Sequence, residues 1–136
     1  MDDQVLVFAY GSLQPQFSLH HKIAKRCNSK IETVVKNVLV GGYKLAVGYN
    51  CAFPIAFPAE NAYIRGSILS VDSKTLREII DIESDYFIKI VFIEHEGEWF
   101  RCLMFWTNLR NEKPLKHRSF IAYARQHKLP SLYKKD

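Results

Sequence analysis

The sequence predicts an α+β domain whose strands form a closed or nearly closed sheet. Val5 to Ala9 is a short, almost wholly apolar run, which is typical of a central strand buried on both faces. Further short strand-like segments follow, joined by tight turns, with one helix placed before a hairpin. These patterns predict about six or seven strands and two or three helices. Composition alone does not distinguish this sheet from an open one.

The segment from Phe17 to Cys27 predicts the first helix, because its apolar residues recur at helical spacing. We expect His20 and its basic neighbours to lie mostly off this stripe, which comprises Leu19, Ile23, Ala24 and Cys27. His20 and His21 cannot both face one metal ion, since adjacent helix positions diverge by about 100°.

The middle of the chain alternates between strand-like and turn-like segments. Thr33–Val40 and Tyr43–Val47 are predicted strands, separated by a tight break at Gly41-Gly42. Residues 48–60 show no clean period and predict an ordered loop over the sheet, which either contacts substrate or is pinned by its aromatic side chains. Residues 62–71 alternate well enough for another strand.

A capped helix and a hairpin come next. Asp72 or Ser73 is suited to cap a helix over Lys74–Asp81. Residues 86–94 and 98–107 predict a hairpin, with Gly97 supplying the left-handed turn angle.

The C-terminal segment carries the basic character of the protein. Residues 1–107 hold 11 Lys and Arg against 12 Asp and Glu, whereas residues 108–136 hold 8 against 2, a net charge of +6. Residues 116–127 predict a last helix, which closes a single domain over residues 1–128. We expect residues 129–136 to form a frayed basic tail. A solvated helix face explains such charge as well as an anionic partner does.

Composition and cysteine content narrow the class of protein. No stretch approaches the roughly 20 apolar residues of a membrane span, and the N-terminus lacks the pattern of a secretory signal. Cys27, Cys51 and Cys102 are odd in number and widely spaced, which indicates reduced thiols and predicts a cytoplasmic location. We expect no membrane or nucleic-acid partner, and the sequence does not determine the oligomeric state.

The turn after the first strand is a candidate binding element. Tyr10, Gly11, Ser12 and Leu13 end the apolar run abruptly; Gly11 permits backbone angles closed to other residues, and Ser12 can cap a helix or turn after it. A core strand that breaks here leaves backbone N–H groups that could hold a carboxylate or a phosphate. An ordinary strand end with a glycine turn explains the same residues.

Glu83 is the candidate acid/base residue. Leu76, Ile79, Ile80 and Glu83 share one helix face, so the carboxylate ends an apolar stripe. Burial there would raise its pKa toward neutrality, as a proton shuttle requires. Alternatively the helix ends before Glu83, which then caps it or pairs at the surface with Lys89.

Several ordered segments resemble the gamma-glutamylcyclotransferase-like family. Phe8-Ala-Tyr-Gly-Ser-Leu13 is similar to its Tyr-Gly-Ser/Thr-Leu signature. The other elements come in the family's order: Gly42–Leu45, Phe53-Pro54, Arg65–Val71 and a helix over Leu76–Glu83 that ends in an acidic residue.

The resemblance implies a small mixed β-barrel with flanking helices and a cofactor-independent cyclotransferase. It implies that Glu83 is the catalytic acid/base and that a small gamma-glutamyl compound is converted to 5-oxoproline with release of its amine. Tyr10, Gly11, Ser12, Leu13, Phe53 and Tyr86 would bind the substrate, with no metal ion or other cofactor.

Two departures leave the substrate open. The family often has Tyr-x-Arg after the glutamate, whereas here Tyr86 comes early and Lys89 stands at the basic position; the aromatic residue before Pro54 is Phe53 rather than tyrosine. The competing hypothesis is a non-enzymatic barrel that binds a small anionic ligand, or an acidic partner through its basic C-terminal segment.

Overall fold

The structure is a computed structural model that describes residues 3–48 and 53–134. The described elements are β1 Gln4–Ala9, α1 Ser18–Cys27, β2 Glu32–Val47, β3 Pro54–Asp72, α2 Ser73–Ile82, β4 Phe87–His95, β5 Glu98–Trp106, β6 Lys113–Pro114 and α3 Phe120–Gln126. The strands form one mixed sheet of order β4-β5-β1-β3-β2-β6. The sheet curls into a half-barrel, which confirms the predicted α+β class.

β1 lies in the middle of the sheet, as its apolar sequence predicts. It pairs antiparallel with β3 and parallel with β5, where Val7 lies opposite Leu103. Alternate side chains of β1 enter two different cores, because successive residues of a strand point to opposite faces. Val7 packs with α1 and α2, whereas Phe8 packs with α3 inside the curl.

β2 and β3 are longer than the sequence predicts. Gly41-Gly42 is not a break but an irregularity within β2: Gly42 has φ +89 and the register shifts between Gly41 and Tyr43. Pro54–Glu60 belongs to β3 rather than to a loop, because this stretch pairs with the second half of β2, as Leu45 does with Ala56. Residues 49–52 of the expected loop lie outside the described residues.

The helices begin and end at identifiable caps. The Asp72 side chain accepts a hydrogen bond of 2.8 Å from the Thr75 N–H, which confirms the predicted cap of α2. α3 begins four residues later than residue 116, because Ser119 is its N-cap and accepts from the Ala122 N–H at 3.3 Å. The β4–β5 turn has positive φ at Glu96 and Gly97, as a two-residue hairpin requires.

The C-terminal residues pack against the start of α1, which corrects the expected frayed tail. The Ser18 N–H donates to the Ser131 carbonyl at 2.9 Å, and the Tyr133 N–H donates to the Gln16 carbonyl at 2.8 Å. The Tyr133 ring stacks on His21 with 3.6 Å between ring centroids. Backbone pairing with a distant segment holds this end in place; residues 135 and 136 lie outside the described range.

Two further expectations concern thiols and membrane spans. Cys27 and Cys102 are free and buried, and Cys51 lies outside the described residues. Over the described ranges, none of the helices has the length and apolar character needed to cross a bilayer.

Candidate functional site

A pocket opens where the end of β1, the start of β3 and the C-terminus of α2 meet. Phe8, Ala9, Pro54 and Phe105 supply much of its apolar wall. The structure also brings to this pocket all seven residues that the sequence analysis singled out: Tyr10, Gly11, Ser12, Leu13, Phe53, Glu83 and Tyr86.

Glu83 is the C-cap residue of α2. The helix ends at Ile82, and the Glu83 N–H donates to the Ile79 carbonyl at 2.9 Å. Burial raises the pKa of the Glu83 carboxyl to about 7, so this group exchanges protons near neutral pH. A pairing with Lys89 is not formed, because the Lys89 ammonium donates instead to the Tyr43 hydroxyl at 3.1 Å. Within the described residues, the Glu83 side chain makes no hydrogen bond or ion pair.

Two carbonyl groups of the turn after β1 accept hydrogen bonds from side chains and backbone nearby. The Gly11 carbonyl accepts hydrogen bonds of 3.2 Å from both the backbone and the side-chain nitrogen of Gln14. The Leu13 carbonyl accepts from Nδ1 of His20 at 2.6 Å. Among the described residues, there is no hydrogen-bond acceptor for the backbone N–H groups of Gly11, Ser12 and Leu13.

Gly11 is required for close packing rather than for a left-handed backbone angle. Its φ lies outside the positive region, contrary to the expectation from the sequence. A Cβ atom at this position would lie 2.7 Å from Cγ of Pro54, closer than carbon atoms normally approach. The absence of a side chain therefore lets the turn approach the start of β3 and close one wall of the pocket.

Two tyrosine hydroxyls, that of buried Tyr10 and that of half-buried Tyr86, brace the pocket walls. Tyr10 donates to the Phe105 carbonyl at 2.6 Å and accepts from the Ala56 N–H at 3.2 Å. Tyr86 donates to the Pro54 carbonyl at 2.9 Å. Burial, together with the negative charge of Glu83, raises the pKa of both phenols well above its ordinary value. These hydroxyl groups therefore stay protonated and are already engaged with the backbone.

His20 and Gln14 hydrogen-bond to carbonyl groups of the turn, a role that was not predicted from the sequence. Both side chains are buried, so the expectation that His20 lies off the apolar stripe was wrong. Its spacing to Ile23 and Cys27, the other buried residues of α1, is helical, and this signal was present in the sequence.

No metal-binding group accompanies the pocket in the part of the chain described here. Over residues 3–48 and 53–134, no three His, Cys, Asp or Glu side chains lie close enough together to hold a metal ion.

The fold and sequence are similar to those of several known proteins. The sequence is 26% identical over 123 residues to "Putative gamma-glutamylcyclotransferase CG2811" of Drosophila melanogaster, covering 86% of this chain and 78% of that one. The fold is similar to that of an AIG2-like protein from Mus musculus, with a TM-score of 0.77, 18% identity and 98% of both chains covered. It is also similar to the uncharacterized protein PH0828 from Pyrococcus horikoshii, with a TM-score of 0.68, 19% identity and coverage of 91% and 96%.

The sequence model of one family matches nearly the whole domain. Residues 7–125, which run from within β1 to within α3 and include the pocket, match the family described as "Gamma-glutamyl cyclotransferase, AIG2-like". Such membership supports a cyclotransferase-like function. The chain belongs to the gamma-glutamyl cyclotransferase, AIG2-like family.

Proposed function

We propose that this protein cyclises a gamma-glutamyl compound to 5-oxoproline and releases the amine, with Glu83 as the general acid/base. The observation that carries the proposal is one carboxyl group, with a pKa raised by burial to about 7, in the same pocket as a turn whose backbone N–H groups have no acceptor among the described residues. Family membership and the name of the Drosophila relative support the reaction class.

The substrate has complementary groups for both parts of the pocket. Its α-carboxylate suits the N–H groups of the turn at Gly11, Ser12 and Leu13, since charged acceptors form the stronger hydrogen bonds with such donors. Its α-ammonium group then faces Glu83. Phe53 and Tyr86 line the remaining side of the pocket, where the released amine would lie.

The chemistry needs one group that first removes a proton and then returns it. The ionised Glu83 takes a proton from the α-ammonium group, and the resulting amine attacks the side-chain carbonyl carbon to close a five-membered ring. The protonated Glu83 then donates that proton to the departing nitrogen as the carbon–nitrogen bond breaks. The ring nitrogen loses its second proton, which the released amine takes up to leave as an ammonium ion. The nucleophile and electrophile belong to one molecule, so holding it in the cyclising conformation contributes much of the rate.

The activity can be tested directly on the purified protein. A panel of gamma-glutamyl amines, amino acids and peptides is incubated with the protein, and 5-oxoproline and the free amine are quantified together. We expect equal amounts of both products from at least one member of the panel. No product from any member would contradict the proposal and leave the non-enzymatic hypothesis.

Glu83→Gln tests the assigned role, because it keeps the shape of the side chain and removes the proton transfer. We expect kcat to fall on the order of 10²–10⁴-fold, the usual contribution of a general acid/base. Asp81→Asn is the matched control, since it removes an exposed carboxylate from the same helix. Full activity of Glu83→Gln would exclude Glu83 as the acid/base even if the wild-type protein is active.

A further inference from the structure

The His20 side chain reaches from α1 to the turn that ends β1. His20 is the third residue of α1 and is buried, and its Nδ1 lies 2.6 Å from the Leu13 carbonyl oxygen. A carbonyl oxygen only accepts hydrogen bonds, so Nδ1 carries a proton and donates it. Burial lowers the pKa of His20, which keeps the ring neutral with this proton on Nδ1.

The bond from His20 starts a chain of hydrogen bonds through the turn. In a trans peptide the C=O and N–H groups point in opposite directions, and no cis peptide occurs among the described residues. The Leu13 carbonyl shares its peptide with the Gln14 N–H, which donates to the Gly11 carbonyl at 3.2 Å. The Gly11 carbonyl shares its peptide with the Ser12 N–H, so the chain runs from His20 through two peptide groups to Ser12.

The last donor of this chain belongs to a residue that lines the pocket. Ser12 lines the pocket together with Glu83, and its N–H has no acceptor among the residues that the structure describes. Each bond in such a chain polarises the next, which strengthens the terminal donor. The Gln14 side chain adds a second bond of 3.2 Å to the Gly11 carbonyl, so the same peptide group is held twice.

We propose that His20 is a positioning residue that orients and polarises the Ser12 N–H as a donor to the α-carboxylate of the substrate. This inference rests on the proposed function, because the carboxylate is that of the gamma-glutamyl compound. His20 itself does not touch the substrate; it acts through the Leu13 and Gly11 carbonyls. The Ser12 N–H would bind the carboxylate equally in the ground state and in the transition state.

Two substitutions of His20 distinguish the effect of its Nδ1 hydrogen-bond donor from the effect of the volume of its ring. His20→Phe keeps an aromatic ring and removes the donor, whereas His20→Asn places its amide nitrogen near the position of Nδ1. With the active gamma-glutamyl substrate, we expect His20→Phe to raise KM about tenfold and to change kcat by less than about twofold. This pattern is expected when a variant loses an interaction that stabilises the bound substrate and the transition state equally. His20→Asn should restore KM to within about threefold of the wild-type value.

His21→Phe is the matched control. His21 is the next residue of α1, and its Nε2 also bonds to a backbone carbonyl, that of Pro15 at 2.7 Å. The Pro15 carbonyl shares its peptide with Gln16, so this bond lies outside the chain that ends at Ser12. We therefore expect His21→Phe to leave KM unchanged. Equal KM values for His20→Phe and His21→Phe would overturn the positioning role.

An NMR measurement reports on the chain without any turnover. We expect His20→Phe to move the amide proton resonances of Ser12 and Gln14, and His20→Asn and His21→Phe to leave them close to their wild-type positions. Unmoved Ser12 and Gln14 resonances in folded His20→Phe would overturn the proposal. If the wild-type protein converts no member of the substrate panel, the proposed function fails and the resonances alone decide whether His20 orients the Ser12 N–H.

Discussion

The backbone N–H of Tyr86 donates a hydrogen bond of 2.9 Å to the carbonyl oxygen of Glu83. The turn from Glu83 to Tyr86, which follows α2, therefore supplies both the carboxyl group of the pocket and one of its aromatic side chains. The Tyr86 hydroxyl in turn donates to the Pro54 carbonyl at 2.9 Å, which ties this turn to the start of β3. Glu83, Tyr86 and Pro54 thus hold fixed positions relative to one another.

Glu83 should make the free energy of unfolding depend on pH. Its pKa is about 7 in the folded protein against 4.5 ordinarily, so the folded state keeps a proton that the unfolded state loses between these values. Stability therefore falls as pH rises through this window, by up to about 3 kcal/mol, and the loss is complete above pH 7. Glu83→Gln has no carboxyl group to titrate at this position, so its free energy of unfolding should not show this fall.

Urea unfolding of the wild type and Glu83→Gln at about pH 4, 6 and 8 tests this. The stability advantage of the variant should be smallest at the lowest pH, grow through the middle value and be largest at the highest. Asp81→Asn controls for the loss of one exposed charge on α2. An advantage that stays constant with pH would contradict the raised pKa of Glu83.

Gly11→Ala should impair the pocket. The added methyl group would lie 2.7 Å from Cγ of Pro54, so the turn or the start of β3 must shift. We expect a loss of about 1–3 kcal/mol in unfolding free energy from this overpacking and a higher KM for the gamma-glutamyl substrate.

Gly48→Ala is the matched control for Gly11→Ala, because a Cβ at Gly48 meets no described residue within 4 Å. It should retain the wild-type KM and thermal midpoint. A wild-type KM for Gly11→Ala would show that the contact between the turn and Pro54 does not shape the site.

Tyr86→Phe should loosen the pocket wall to which Tyr86 belongs. The substitution removes the hydrogen bond to the Pro54 carbonyl and costs about 1 kcal/mol in unfolding free energy, the usual value for one such bond. Tyr63→Phe is the control, because Tyr63 is 48% exposed and its hydroxyl makes no hydrogen bond within the described residues. Denaturant unfolding of both variants measures the difference, and equal stabilities would contradict a bracing role for Tyr86.

Deletion of residues 131–136 should destabilise the domain. It removes the bonds between Ser18 and Ser131 and between Tyr133 and Gln16, together with the stacking on His21. We expect a loss of about 2–3 kcal/mol, from roughly 1 kcal/mol for each of these contacts. Deletion of residues 135 and 136 alone keeps all three contacts and is the control. Equal thermal midpoints for the two shortened chains would show that the C-terminal contacts add no stability.

The sequence by itself determined the features that depend on neighbouring residues. The apolar run Val5–Ala9 became the middle strand, Asp72 capped α2, and Gly97 closed the β4–β5 hairpin. For Glu83 the sequence left two interpretations open, and the structure combines them: the helix ends before Glu83, which caps it, while burial raises the pKa of its carboxyl. Strand periodicity, caps and turn angles are local properties, so a few adjacent residues suffice to reveal them.

Only the tertiary structure decided the features that need partners far along the chain. It joined residues 54–60 to β3 by pairing them with β2, and it packed Tyr133 against the start of α1. It also brought Glu83 to the turn at Gly11–Leu13, about 70 residues earlier in the sequence. Each of these contacts depends on the curl of the sheet, which segments distant in sequence form together and which no local pattern encodes.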